Sequence, residues 1–333
     1  MALSEEVLAS ASDLFADDAP HGRSLALIVE HRGEVVVERY GTQPDTPFGP
    51  GGAVDATTTL VSWSMAKSIT HAAVGAAILA GLLDADTLAQ PVPVASWQGT
   101  PKEAITWLDL LEMRPGLEFV EDYVDDAVSN CIEMLFGAGN EDMAEYAASL
   151  PLLHTPGTHW NYSSGTTNIL SRALGDVIHG GLRGDAARSA METFLAERVF
   201  GPIGMTSAIP KFDPAGTFVG SSFVYATARD FLRFGRTYRD DGVVDGRRVL
   251  PAGWSEHART FAALDDDGFG YGRHWWRWPE LDDVFSANGY EGQYTIVSPE
   301  RQLVVVHLGK SPAETREPLF RALDRIVRAF PPA

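Results

Sequence analysis

A chain of 333 residues, 45% hydrophobic and 21% charged, has the make-up of an ordinary soluble globular protein and can bury a large core as one domain or two. Its 45 acidic and 26 basic side chains give a formal net charge of −19, which argues against nucleic acid or an anionic membrane as partner. The single Cys131 excludes an internal disulfide, the acidic start Met1-Ala2-Leu3-Ser4-Glu5-Glu6 lacks the pattern of a signal peptide, and no run approaches the ~20 apolar residues of a membrane span, so a cytoplasmic protein is expected.

Two β-rich runs come first, Leu25 to Glu30 and Glu34 to Tyr40, joined by His31-Arg32-Gly33 in the manner of a hairpin. Next comes Ser62-Trp63-Ser64-Met65-Ala66-Lys67-Ser68, ahead of a run of small and apolar residues that reads as a helix from about Ser64 to Ala80, stopping at Gly81. Residues three apart share a helix face, so the Ser64 hydroxyl and the Lys67 amine can meet, and a partly desolvated lysine can activate a serine as nucleophile. With four lysines in the chain, a serine three residues before one of them arises by chance roughly one time in four.

The middle of the chain is mostly helical and punctuated by Pro91, Pro93, Pro115, Pro151 and Pro156. Within it, Pro156-Gly157 leads into Trp160-Asn161-Tyr162-Ser163-Ser164. A tyrosine against a lysine ammonium loses its proton more readily and can relay it, although a core tyrosine satisfied by the backbone fits this segment equally well. Further on, Trp275, Trp276 and Trp278 alternate so that Trp276 and Trp278 share one strand face. Ser286-Ala287-Asn288-Gly289-Tyr290-Glu291-Gly292 could bring a backbone N–H close to a substrate, or could be a plain glycine-rich turn. A second hairpin pairs Gln293–Val297 with Leu303–Leu308, and an amphipathic helix over 313–329 places Leu319, Leu323, Ile326 and Val327 on one stripe. The simplest architecture is α+β: an antiparallel sheet built from both termini and flanked by helices, with a mostly helical insert. No Gly-x-Ser-x-Gly elbow, His-Glu-x-x-His, Walker loop or Gly-x-Gly-x-x-Gly occurs, so neither a metal nor a cofactor is expected.

Taken in order, these segments resemble the serine β-lactamase/penicillin-binding superfamily, in the branch of class C β-lactamase-like esterases and 6-aminohexanoate-dimer hydrolases. The likeness rests on Ser64-Met65-Ala66-Lys67, Ile105 to Met113, Glu121-Asp122-Tyr123, Trp160 to Ser164, Phe200 to Met205, Ala226 to Phe231, Trp275-Trp276 and Gly289 to Gln293. It implies a β-lactamase/transpeptidase-like fold, with one domain from 1–62 and 205–333, a helical domain over 63–204, and the site in the cleft between them. It further implies Ser64 as acylated nucleophile, Lys67 as general base and Tyr162 as proton relay. The backbone N–H groups of Ser64 and Tyr290 would form the oxyanion hole, with Tyr123, Trp276, Asn288 and Gly289 against the substrate.

Departures from the family pattern narrow the expected substrate. Ala287 stands where β-lactamases and peptidases carry a Lys or His for the substrate carboxylate, a contact typically worth ~1.5–3 kcal/mol. Ser164 replaces the Asn of the usual Tyr-x-Asn, which removes an amide that often positions an acyl-side carbonyl. Gly220 and Met134 align with an Asn and an Asp that assist amide-oligomer cleavage in the 6-aminohexanoate branch. The expected activity is therefore acyl-enzyme hydrolysis of carboxylic esters, with amides as a further class and a small molecule as the only partner. A β-lactamase or D-amino-acid peptidase of the same fold, and an inactive ligand-binding or scaffold member, are the other readings. The sequence sets no oligomeric state.

Overall fold

The computed structural model describes residues 5–16, 19–46, 49–123 and 129–332. β1 (Arg23–His31) and β2 (Glu34–Tyr40) form the first hairpin, turning through Arg32 and Gly33 with φ of 52° and 83°, the sense of turn that matches strand twist. β3 (Thr59–Val61) and β4 (Val224–Thr227) pair in a separate small sheet. The later strands of the main sheet are β5 (Ala263–Leu264), β6 (Gly270–Tyr271), β7 (Trp276–Arg277), β8 (Phe285–Gly289), β9 (Gln293–Ser298) and β10 (Leu303–Lys310). They join the first hairpin in one eight-stranded antiparallel sheet of order β5-β6-β7-β8-β9-β10-β1-β2.

The closure between the two ends of the chain is the β1–β10 pair, running from Arg23 opposite Lys310 to His31 opposite Leu303. Both strands are buried on both faces, which explains their unbroken apolar runs. Alternation sorts them: Ile28, Val304 and Val306 face one core, while Leu27, Val29 and Val305 face another. The second core is covered by α1 (Glu5–Asp13) and a C-terminal helix that begins at Arg316, after a single 3₁₀ turn, rather than at Ala313. α1 had no counterpart in the sequence reading, although Val7, Ala11 and Leu14 repeat at helical spacing and pack there.

On the first face lies α2 (Met65–Leu79), buried at every residue from Met65 to Ala77. A helix buried all round must be small-sided as well as apolar. A Cβ on its Gly75 would overlap the Trp254 ring. Beside it run α4 (Ser164–His179) and α5 (Ala228–Arg239), with α3 (Asn130–Phe136) packed on α4, and α6 (Arg316–Arg328) completes the other face with Leu319, Leu323, Ile326 and Val327 inward, as its periodicity predicts. Among the described residues, no helix is long and apolar enough to cross a membrane.

Candidate active site

The chain passes from β3 into α2 through Trp63, whose φ of 43° lies in the left-handed region that costs a non-glycine residue about 1–2 kcal/mol. That turn is held from outside. The Trp63 indole donates to Glu291 Oε2 at 3.1 Å, Lys310 Nζ donates to the same oxygen at 2.5 Å, and the indole ring packs on Phe223 and Tyr290. Ser64 follows as the N-cap of α2, yet its hydroxyl caps nothing. Lys67 Nζ, three residues on, lies 2.9 Å from Ser64 Oγ.

Lys67 is only 2% exposed, and its amine has two further partners: Ser164 Oγ at 3.0 Å and the Ser221 carbonyl at 3.0 Å. The hydrogen positions around it follow from valence. Glu121 Oε1 lies 2.6 Å from Ser164 Oγ, and a carboxylate only accepts, so Ser164 gives its proton to Glu121 and accepts from Lys67. The Ser221 carbonyl also only accepts. Two N–H bonds of Lys67 are thus committed away from Ser64, and its remaining valence, an N–H or a lone pair, points at Ser64 Oγ. Glu121 is fixed in turn by the Ser164 N–H at 2.7 Å and the Tyr123 hydroxyl at 2.5 Å. Asn168, one turn along α4, accepts the Ser221 N–H at 3.3 Å and so aims that carbonyl.

Tyr162 precedes α4, which Ser163 caps by accepting the Thr166 N–H. Lys67 Nζ sits 4.8 Å from the centre of its ring, a cation–π arrangement. The sequence argument had the lysine favouring phenolate. Here burial is the largest influence and pushes the Tyr162 hydroxyl up, with Glu121 adding to it against the opposing Lys67 charge, so Tyr162 rests as a neutral phenol. Trp276 at 5.4 Å and Tyr271 at 5.8 Å pack on the ring, and Trp160 packs in turn on both of them.

These groups open onto a cavity of about 710 Å³ whose walls include Ser64, Glu121, Tyr123, Trp160, Tyr162, Trp276, Asn288, Gly289 and Tyr290. Every residue expected at the site except Lys67, which lies just beneath it, therefore borders one space. Gly289 ends β8 against Ser62, where an added Cβ would overlap the Ser62 carbonyl; this close approach carries Tyr290 past the turn into α2. Gln293 pins that turn through Nε2, which donates to the Tyr290 and Gly309 carbonyls at 3.0 and 2.9 Å. Asn288 Oδ1 accepts from Ser286 Oγ at 2.6 Å. Trp276 and Trp278 do share a face: Trp278 donates to Ser286, which pairs with Trp276 across β7 and β8, while Trp275 is buried in the opposite core.

Three expectations change. Ala287 is 1% exposed and packs toward α2, opposite Thr295, instead of bordering the cavity. Met134 is fully buried against Asn168, and a side chain on Gly220 would overlap Thr70 and Ser171, so neither position borders the cavity. Ser164, read as a lost substrate contact, instead links Lys67 to Glu121. Glu121 stands out in the sequence only through the family resemblance, because one glutamate in a loop carries no signal until its long-range partners are known.

The cavity mouth is acidic. Asp265, Asp266 and Asp267 line it with Arg316 as the cation among them, 3.4 Å from Asp267. Among the described residues no group of three or more His, Cys, Asp or Glu side chains is disposed to hold a metal ion.

A family model described as Beta-lactamase matches residues 14–327. A 6-aminohexanoate-dimer hydrolase from Paenarthrobacter ureafaciens is 30% identical over 268 residues, covering 75% of this chain and 65% of that protein, so the chain spans less than two thirds of that relative's length. Among solved structures, a putative 6-aminohexanoate-dimer hydrolase from Bacillus anthracis superposes with a TM-score of 0.72 at 22% identity, over 92% of this chain and 79% of that one. A D-alanine carboxypeptidase from Burkholderia cenocepacia gives 0.66 at 19% identity, over 98% of each chain. At these identities the two superpositions speak for the fold.

Proposed function

The chain belongs to the Beta-lactamase family of serine hydrolases, and on that premise we propose that it hydrolyses carboxylic esters through an acyl-enzyme on Ser64. The observation that carries the reading is the Lys67 amine, with two N–H bonds committed to Ser164 and Ser221 and the third valence on Ser64 Oγ at 2.9 Å. With the lone pair as that third valence, the amine accepts the Ser64 proton while Oγ attacks the ester carbonyl. The oxyanion forms at the N-terminus of α2, where the Ser64 N–H, the helix dipole and the Tyr290 N–H stabilise it; a donor of this kind is typically worth roughly 3 kcal/mol of barrier. Tyr162 gives its phenolic proton to the departing alkoxide and regains one from Lys67. Water then repeats the sequence on the acyl-enzyme, releasing the acid and restoring Ser64.

Three things favour neutral esters over β-lactams. The strand position of the usual carboxylate anchor is Ala287, sealed in the core. The acidic cavity mouth repels an anionic substrate. Aromatic rings, Tyr123, Trp160, Tyr162, Trp276 and Tyr290 among them, form part of the walls around Ser64. Amides are the second reading, supported by the 6-aminohexanoate-dimer hydrolase at 30% identity. A burst of p-nitrophenol equal to the enzyme concentration, followed by slower turnover and lost in Ser64→Ala, is the expected result with p-nitrophenyl acetate. Undiminished turnover in Ser64→Ala overturns the proposal, and nitrocefin turnover exceeding that of esters would favour a β-lactamase.

A further inference from the structure

Two separate groups of aromatic rings flank Ser64. One is the set around Tyr162, namely Trp160, Tyr271 and Trp276. The other begins at Tyr123 and runs outward through ring contacts: Tyr123 to Tyr290 at 5.0 Å, Tyr290 to Trp63 at 5.8 Å, Trp63 to Phe223 at 5.7 Å and Phe223 to Phe136 at 6.2 Å. Tyr123 and Tyr290 wall the cavity, whereas Trp63, Phe223 and Phe136 continue the row beyond it. Tyr123, Tyr290 and Phe136 are exposed, Phe136 to 57%, while Trp63 and Phe223 between them are partly buried. The carboxylates beside it are already engaged, Glu291 by Trp63 and Lys310, and Glu121 by Ser164 and Tyr123. A contiguous apolar surface of this kind, continuous with a nucleophile, marks a ligand-binding face more often than an idle one.

The chemistry decides which half of an ester lies on it. The leaving alkoxide must sit against the group that protonates it, so the alcohol side belongs to the Tyr162 aromatic set. The acyl chain then leaves the carbonyl in the other direction, past Tyr290 and Trp63. We propose that this row of rings is the acyl subsite, and that the enzyme prefers esters of medium-length apolar acids over acetates. The proposal rests on the ester hydrolase reading above.

The row is several times longer than an acetyl group, so added methylenes keep finding apolar surface. Half-exposed rings recover only part of the full burial of each methylene, which sets the expected gain in kcat/KM from p-nitrophenyl acetate to octanoate at about tenfold. The test is the octanoate-to-acetate ratio of kcat/KM in the wild type, in Phe136→Ser and in Phe223→Ser, beside an alcohol-side series of ethyl to octyl acetates. The expected result is a ratio that climbs with acyl length and collapses toward one in both variants, with a flat alcohol-side series. A flat acyl series, an unchanged ratio in both variants, or length dependence on the alcohol side overturns the assignment. Ser64→Ala separates the two claims: acetate turnover that survives it refutes the acyl-enzyme reading, whereas acetate turnover lost in it together with a flat acyl series refutes the subsite alone.

Discussion

Ser164→Ala isolates the link on which the site geometry depends. The substitution removes the hydroxyl that accepts from Lys67 at 3.0 Å and donates to Glu121 at 2.6 Å, and it leaves the Ser164 backbone N–H on Glu121 unchanged. A hydrogen bond to a charged group is typically worth about 1.5–3 kcal/mol, and its loss frees the Lys67 amine to turn away from Ser64 Oγ. If that energy is expressed in the transition state, kcat/KM for p-nitrophenyl acetate falls by roughly 10- to 150-fold, at 1.36 kcal/mol per factor of ten. Ser164 is fully buried, so a loss of thermal stability accompanies the kinetic effect. Ser164→Thr keeps the hydroxyl and recovers most of the rate, which distinguishes positioning of Lys67 from loss of packing. An unchanged kcat/KM in Ser164→Ala, with the protein folded, refutes the argument that Ser164 and Ser221 direct Lys67 onto the nucleophile.

Tyr162→Phe keeps the ring stacked on Trp276 but removes the relayed proton; kcat for esters falls by about 10²–10⁴, the usual worth of general acid–base catalysis, while circular dichroism stays native. Ala287→Lys, instead of creating a β-lactamase, forces a charge into the core against α2 and lowers Tm without conferring nitrocefin turnover. Acid unfolding follows from the histidines. Burial lowers His274 and His257 to about 3 and His307 to about 4, and it holds His71 well below its ordinary value. Each is neutral when folded and takes up a proton near pH 6.5 when unfolded, so the unfolded state binds more protons between pH 6.5 and about 4. Their stabilisation is complete above pH 6.5 and is lost as pH falls through that window, by about 2 kcal/mol at pH 5 for each fully buried one. Urea midpoints measured from pH 7.5 to 4.5 should fall steeply below pH 6.5, and a flat profile contradicts the burial of these rings.

Local pattern made much of the fold legible. The hairpins at both ends, α2 and the α6 stripe follow from periodicity and turn residues, because those signals lie within a few residues of one another. Ser64 and Lys67 could be paired for the same reason, one helical turn apart. The surroundings of Lys67 could not. Ser164 and Ser221 meet it, and Glu121 holds Ser164, from three distant parts of the chain, and nothing local marks them as partners. The same limit applied to Met134 and Gly220, which match functional positions in linear order but pack beneath the site. It applied to Tyr162 as well: its place beside Lys67 was implied only by the family resemblance, and the burial that outweighs the lysine charge by nothing in the sequence. The strained turn at Trp63 is set by Glu291, Lys310 and Tyr290, more than two hundred residues away, and is equally invisible in the heptad around Ser64.

The most direct test of the account is intact-mass and peptide-mapping spectrometry of the protein quenched in acid during turnover of a p-nitrophenyl ester. The account predicts one acyl adduct per chain, on the peptide containing Ser64, absent in Ser64→Ala and longer-lived in Tyr162→Phe. Turnover with no adduct in either protein, or an adduct on another residue that persists in Ser64→Ala, contradicts it.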